Sequence, residues 1–412
     1  MVQSINSKMP LNCQKHPEPQ IVTGFRCEII RIRLLLYTAY QGLVCTRNPA
    51  KALRFLRKII LLRKSVLGNR KITKMVKSGK KHFWNIDFPG IPSANLKFRL
   101  RNEVDRISNN SVLTGHLQTV IWGITNRCSL NCKHCYDWNN ISSNEKLSLT
   151  QLKEILFKLE ENGVRHIQLS GGEPLERFDD LISIIELGDH RIDFWLLTSA
   201  FGLTLEKAVA LKDVGLTGVN ISLDHWEKKR HNEFRGNQES FDWVMKAIEN
   251  CRKAGIIVSL SLCATNEFVS DENLFNYIEL ARENGAHFIR ILEARRVGRF
   301  EGKDVLLTKH SIETIQKFVS EINSETKYAN YPIVNFVGFH QRRIGCHGAG
   351  DRYLYIDANG DFHACPFCQG KMGNVLETSI DDARANLIKR GCHYLPKVGS
   401  RNSESVPLGT RY

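Results

Sequence analysis

Of the twelve cysteines in this 412-residue chain, seven are spaced so that they could do chemistry together. Cys128, Cys132 and Cys135 fall on one short stretch, Asn126-Arg127-Cys128-Ser129-Leu130-Asn131-Cys132-Lys133-His134-Cys135-Tyr136. Three thiolates spaced this way can hold three corners of an iron–sulfur cubane and leave the fourth iron without a protein ligand. An electron-transfer cluster of the four-cysteine kind would need one more thiol nearby. A tetrahedral zinc site also wants a fourth ligand, and His134 is cramped between two of its neighbours. An open iron implies that something exogenous binds there. The second group, Cys346, Cys365, Cys368 and Cys392, gathers towards the C-terminus. Cys13, Cys27, Cys45, Cys251 and Cys263 stand alone and read as thiols without a special role.

The elements that must position the triplet follow from hydrophobic rhythm. From residue 119 the chain alternates apolar strand patterns with amphipathic helix patterns. Strands are expected at Thr119–Ile124, His166–Leu169, Ile192–Leu197, Gly218–Leu223, Ile256–Leu262 and Phe288–Leu292. Helices are expected near Leu149–Asn162, Phe178–Leu187, Leu205–Val214, Phe241–Lys253 and Asn273–Asn284. Six such units argue a parallel sheet covered by helices, either doubly wound or a full or partial barrel. Ligands of parallel α/β sheets sit at the carboxyl ends of strands, and the cysteine triplet follows the first strand.

Composition places limits on partner and compartment. Hydrophobic residues are 42% and charged residues 25%, a globular balance that excludes collagen-like, disordered and multi-span membrane chains. The net charge of +15 is concentrated at one end, with 22 basic against 5 acidic residues in 1–118 and a near-neutral remainder. Residues 51–66 read as a basic amphipathic helix, with Leu53, Leu56, Ile59 and Ile60 on one side, and a further run of lysines and arginines extends to Lys81. The segment 1–118 shows no strong strand pattern. It permits three readings: helices packed on the barrel, a membrane-surface binder, or a docking face for an acidic partner through 51–81. Without interleaved aromatics, nucleic acid is disfavoured. The longest uncharged apolar stretch near the start, Leu34–Thr46, is too short to span a bilayer, and no secretory signal pattern precedes it. The chain is therefore expected to be cytoplasmic, where clustered cysteines point to metal or cluster ligation rather than disulfides.

Cys128-x3-Cys132-x2-Cys135 after a first strand resembles the signature of radical S-adenosylmethionine (radical SAM) enzymes. The second unit agrees, because Gln168-Leu169-Ser170-Gly171-Gly172-Glu173-Pro174 is similar to that family's glycine-rich methionine-binding motif. Adjacent glycines let backbone groups approach an amino-acid ligand closely. The resemblance implies an α/β fold, a partial (β/α)6 TIM-like barrel over 118–300, with a [4Fe–4S] cluster held by Cys128, Cys132 and Cys135. It also implies S-adenosyl-L-methionine as cofactor, an electron donor such as flavodoxin or ferredoxin, and a 5′-deoxyadenosyl radical that abstracts a substrate hydrogen. Gly171, Gly172 and Glu173 would hold the methionine end. Ser222 and Asp224, after the fourth strand, match the ribose-contact position, with helix capping as the alternative. Where relatives often have Thr-Asn-Gly after strand three, this chain has Thr198-Ser199-Ala200.

Near the C-terminus, two apolar runs flank Asn359-Gly360, a hairpin signal that brings Cys346 and Cys365 together with Cys368 beside them. With Gly360-x4-Cys365 and the later Gly373-Asn374, this region resembles the SPASM or twitch domains of radical SAM enzymes. The full SPASM pattern uses seven cysteines, so the shorter twitch type with one auxiliary [4Fe–4S] cluster fits four, with Cys392 as fourth ligand. A structural zinc ribbon is the alternative. The expected divisions are a basic, mostly helical extension (1–117), the barrel (118–300), a helical linker (301–344) and a small α+β cluster domain (345–412). Glu293, Arg295 and Arg296 follow strand six as substrate-contact candidates. The function expected is a radical SAM oxidoreductase or modifying enzyme acting on a peptide, a protein or a small molecule. A non-catalytic iron–sulfur or zinc protein gripping nucleic acid with its basic arm is the rival.

Overall fold

The computed structural model describes residues 16–67, 71–109, 116–142, 144–344, 346 and 348–392. The N-terminal part contains β1 (Gln20–Thr23), the long helices α1 (Gly24–Thr46) and α2 (Pro49–Leu67), then β2 (Lys74–Ser78), β3 (Lys81–Phe83) and α3 (Ala94–Asn109). β1, β2 and β3 form an antiparallel sheet. The mostly helical extension expected from sequence therefore carries three short strands as well. They are too short for an alternating pattern to show, and β2 and β3 are interrupted by lysines.

The repeating units follow as β4 (Thr119–Gly123), α4 (Leu149–Glu161), β5 (His166–Ser170), α5 (Phe178–Leu187), β6 (Asp193–Thr198), α6 (Leu205–Asp213) and β7 (Gly218–Ser222). After them come α7 (Lys228–Arg235), α8 (Ser240–Lys253), β8 (Ile257–Ala264), α9 (Asp271–Glu283), β9 (Phe288–Glu293), α10 (Lys309–Ser324), β10 (Ile333–Phe336) and α11 (Val337–Ile344). The chain ends with β11 (Tyr353–Ile356), β12 (Phe362–His363) and α12 (Ile380–Arg390). These strands form one nine-stranded sheet in the order β10-β9-β8-β7-β6-β5-β4-β11-β12, parallel throughout except for the β11–β12 hairpin. Strands β4 to β9 are the six read from sequence. The stretch 301–344, expected as a helical linker, adds a seventh parallel strand, β10, beside β9. β11 joins the other side, parallel to β4, so the C-terminal segment is hydrogen-bonded into the barrel sheet.

Local chemistry explains the elements. Val, Ile and Leu of the strands are buried between sheet and helices, as parallel strands covered by helices require. Ser148 opens α4 with a capping box shared with Gln151, and Thr204, Ser270 and Thr308 cap α6, α9 and α10. The N-terminal unit closes the barrel floor. Val76, Phe83 and Ile86 pack with Trp195, Ile257, Phe288 and Ile333 from four barrel strands. Buried polar contacts pin it there: Asn95 donates to Asp193 at 2.7 Å, and Arg106 pairs with Asp351 at 2.7 Å. Lys74 donates to the carbonyls of Tyr328 and Tyr331 at 2.6 and 3.1 Å. Of the readings open for the basic extension, packing against the barrel is observed.

Candidate functional site

The cysteine triplet lies on the loop leaving the carboxyl end of β4, and rigid elements hold that loop from several sides. Arg177, buried, donates to the carbonyls of Ile124 and Leu147 at 2.9 and 2.8 Å. Arg127 pairs with Glu145 at 2.7 Å. The last turn of α7 accepts from the loop's own amides, Asn131 to the Arg235 carbonyl at 3.2 Å and Lys133 to the Phe234 carbonyl at 2.9 Å. The amide of Arg299 donates to the Cys135 carbonyl at 3.0 Å. His134 borders the same cavity as the thiols and stacks on Phe234, with centroids 4.8 Å apart. Burial lowers its pKa to about 4, so it is neutral at pH 7.

Gly171 and Gly172 lie directly on this loop. The Gly172 amide donates to the Thr125 carbonyl at 2.8 Å, and the Glu173 amide to the Arg127 carbonyl at 2.7 Å. Gly171 has φ +142°, and a Cβ there would sit 2.4 Å from the Thr125 oxygen. A Cβ on Gly172 would meet the Arg127 oxygen at 2.1 Å. Only glycines let the two loops meet, which ties the motif after β5 to the cysteines after β4.

Glu173 occupies a different place from the one the motif suggested. It is 1% exposed and is not part of the cavity wall. Its carboxylate accepts from Thr198 Oγ1 at 2.7 Å, Ser199 N at 2.7 Å, Ser199 Oγ at 2.5 Å and Leu175 N at 3.0 Å. Burial raises its pKa, and these donors pull it back only in part. Glu173 thus fastens the loop after β6 to the loop after β5, gripped by Thr198 and by Ser199, the first position of that loop that departs from the Thr-Asn-Gly pattern.

Ser222 and Asp224 both face the cavity. Neither caps α7, whose N-cap is Glu227. Asp224 is buried, accepting from Arg235 Nε at 2.6 Å and from the Cys263 amide at 2.9 Å. Burial is the largest single influence and pushes its pKa up, but the Arg235 guanidinium, His134, His231 and the Cys263 amide together hold it below the usual value. Arg235 also reaches Cys132 Sγ at 3.7 Å. Sequence reasoning passed over Arg235. Its signal was its place at the end of α7, where the carbonyls of Phe234 and Arg235 cap the cysteine loop.

A cavity of about 450 Å³ opens at the carboxyl ends of the strands. Cys128, Cys132 and Cys135 line it, together with Gly171, Gly172 and Ser222. So do Cys346, Cys365 and Cys392 from the C-terminal segment. The β11–β12 hairpin turns at Asn359-Gly360 as expected, and Asn374 locks it by donating to Asp361 at 2.7 Å and to the Asn359 carbonyl at 2.9 Å. Cys365 and Cys368 bridge each other through the backbone, with Cys368 N donating to the Cys365 carbonyl at 3.0 Å. The Gly348 amide donates to Cys346 Sγ at 3.3 Å. The Cys392 thiol is in hydrogen-bonding contact with those of Cys346 and Cys368, and Cys368 with Cys365. All four C-terminal cysteines named from sequence therefore come together.

Thiol electrostatics differ between the groups. In the loop after β4, burial is the main cause that raises each thiol, Cys128 to about 12 and Cys135 to about 11, with Cys132 raised despite Arg235. In the C-terminal group, contact with a neighbouring thiol comes first. It raises Cys346 and Cys368 and lowers Cys365. A bound metal reverses such shifts by favouring thiolate, with release of protons. Among the described residues no three Cys, His, Asp or Glu side chains converge on a single-ion position. Three thiols facing one cavity, with a glycine cradle beside them, are nevertheless a donor set that fits an iron–sulfur cubane with one open corner.

On the barrel floor, Gln168 donates to Asp87 at 2.7 Å, and Arg290 pairs with Asp87 at 3.4 Å. Arg99 also lines the cavity. Of the residues named after β9, Glu293 is clamped by Arg342 and by Arg295 at 3.5 Å, while Arg296 pairs with the exposed Asp304.

The fold and site are those of a parallel α/β barrel with a thiol-lined mouth. Residues 122–289 match the model of the Radical SAM superfamily, and that part of the chain is a radical SAM domain. Among relatives, a probable GTP 3′,8-cyclase of Sulfurisphaera tokodaii is 29% identical over 265 residues, 62% of this chain and 82% of that protein. The mycofactocin maturase MftC of Mycolicibacterium smegmatis is 29% identical over 266 residues, 62% of this chain and 66% of that protein. Among solved structures, Streptococcus suis SuiB bound to its precursor peptide SuiA aligns with TM-score 0.57 at 16% identity, covering 84% of this chain and 81% of SuiB. Native anSMEcpe with bound AdoMet aligns with TM-score 0.52 at 16% identity, covering 65% of this chain and 80% of that one. Both structures share the fold. Among the described residues no helix is long and apolar enough to cross a membrane.

Proposed function

We propose that this chain is a radical SAM enzyme of the twitch type that modifies a peptide or protein substrate. Cys128, Cys132 and Cys135 would hold the first [4Fe–4S] cluster, and Cys346, Cys365, Cys368 and Cys392 an auxiliary one. When bound, the first cluster and S-adenosylmethionine together supply a 5′-deoxyadenosyl radical that takes a hydrogen atom from substrate. The chain's own part is positioning. Gly171 and Gly172 leave backbone room for the methionine end, Glu173 keeps that loop against the loop after β6, and Ser222 offers a hydroxyl towards the ribose. Asp224 contributes through Arg235, which it holds against Cys132. The auxiliary thiols would let the enzyme pass on an electron from an oxidised substrate, and a flavodoxin or ferredoxin would supply the first cluster.

The observation that carries this reading is that both thiol groups and the glycine motif border one cavity. Peptide substrates are favoured over small molecules because the alignment with SuiB, which binds a precursor peptide, extends over 84% of this chain, well beyond the barrel. MftC, a maturase, points the same way. The test is anaerobic reconstitution followed by S-adenosylmethionine and a strong reductant. About eight irons per chain and formation of 5′-deoxyadenosine are expected. A full iron complement without 5′-deoxyadenosine would favour a non-catalytic cluster protein instead.

A further inference from the structure

The outer face of the α1–α2 hairpin has no role in the site. On α1, Phe25, Ile32, Leu36, Tyr40 and Leu43 recur at intervals that fall on one side of a helix, and all are exposed, Phe25 at 80% and Leu36 at 64%. The opposite side of α1, with Cys27 and Ile30, is buried against Met75, Leu96 and Leu100. On α2 the sequence pattern put Leu53 and Ile60 on one apolar side with Leu56 and Ile59. The structure turns Phe55 inward instead and leaves Leu53 and Ile60 exposed, one face shared with Arg57 and Lys64. Residues 24–67 carry ten Lys and Arg against a single acid, Glu28.

We propose that this face docks on an anionic lipid surface, lying in the interface without crossing it. Apolar side chains ringed by basic ones are the chemistry of helices that rest at a headgroup boundary. Other occupants fit less well. A nucleic acid offers the phosphates but no aliphatic layer for Phe25, Ile32, Leu36 and Leu43. A second copy would bring ten cations against ten. Residues 1–15, with two lysines and no acid, and 393–412, with three basic residues and one glutamate, are both net positive and do not complement the face. The helices are too polar to span a bilayer. The barrel mouth is a separate place, so this inference stands apart from the catalytic reading.

The test is co-sedimentation of the full chain, anaerobically reconstituted, with extruded vesicles. Vesicles of phosphatidylcholine alone are compared with vesicles containing a quarter phosphatidylglycerol, at low and at high salt. Binding at least about tenfold stronger to the anionic vesicles, and several-fold weaker at high salt, is expected. Leu36→Glu and Leu43→Glu, at exposed positions, are each expected to cut binding about tenfold with the thermal transition unchanged. Arg57→Glu with Lys64→Glu provides the charge arm and is expected to abolish the difference between vesicle types. Equal binding to both vesicle types overturns the proposal, as does no binding to either. So does retained vesicle binding in both leucine variants, which would leave electrostatics alone and favour an acidic protein or nucleic acid. A dimer in solution that Leu36→Glu dissolves would assign the face to self-association instead.

Discussion

The two thiol groups face one cavity but are built in opposite ways. In the loop after β4 the three thiols are set by rigid surroundings: Arg177 and the end of α7 fix the backbone, and the glycines after β5 pack on it. Apart from the Arg235 contact to Cys132, their side chains look into the cavity. In the C-terminal segment the thiols come from three places along the chain and make contact with one another, their backbone held by a two-residue strand and a turn. Three thiols fixed from outside leave a coordination position for an exogenous ligand. Four thiols in contact pair by pair, Cys346 with Cys392, Cys392 with Cys368 and Cys368 with Cys365, are the donors a closed auxiliary cluster would use. On this account the first group does chemistry and the second stores or passes an electron.

Several variants would break or sharpen that contrast. Cys132→Ala is expected to have the largest effect, abolishing 5′-deoxyadenosine formation by at least about a thousandfold and removing about four irons per chain. Product that persists in this variant would remove the functional asymmetry altogether. Next is Arg235→Gln, which leaves Asp224 buried without its partner and strips the guanidinium from Cys132. A loss of about ten- to a hundredfold in 5′-deoxyadenosine formation is expected, with an altered spectrum of the first cluster, because groups bonded to a ligand tune the metal. Arg235→Lys should recover part of both. Cys365→Ala is expected to remove about four irons while changing substrate-free cleavage of S-adenosylmethionine by less than about tenfold. A loss as large as that of Cys132→Ala would show that the groups are not separable.

The smallest effect lies outside both groups, on the barrel floor. His166 is buried beside Gln168, and burial lowers its pKa from 6.5 to about 4. A histidine depressed in the folded state contributes stability that is present above pH 6.5 and is lost as pH falls from there towards 4. In denaturant titrations, His166→Gln should therefore flatten the acid side of the stability profile by about 1–2 kcal/mol. An unchanged slope would show that His166 does not govern it.

Much of this was legible in the sequence because two periodic signals coincided. The strand patterns from Thr119 to Leu292 recurred with helix patterns between them, and the boundaries differ by no more than two residues. The cysteine triplet and the Gly171-Gly172 pair fell at the ends of the first two strands, so both landed on the cavity. What escaped was whatever depends on partners distant in sequence. β10 is four residues long and follows a helix and a turn, so it read as linker. β1, β2 and β3 are short, and their core comes from residues distant in sequence, the barrel floor on one side and α1 and α3 on the other. Glu173 looked like a ligand-facing acid until Thr198 and Ser199 appeared around it, and Asp224, though it lines the cavity, is also tied to Arg235. A carboxylate's role is set by which donors fold against it, and spacing along the chain does not encode that.

The most direct test of the central claim is an electron paramagnetic resonance comparison of reduced wild-type protein, Cys132→Ala and Cys365→Ala, each with and without S-adenosylmethionine. The account predicts two cluster signals in the wild type. Only the one lost in Cys132→Ala should change when S-adenosylmethionine is added, and Cys365→Ala should retain that change. A signal that depends on Cys365 and responds to S-adenosylmethionine, or a response that survives in Cys132→Ala, would contradict it.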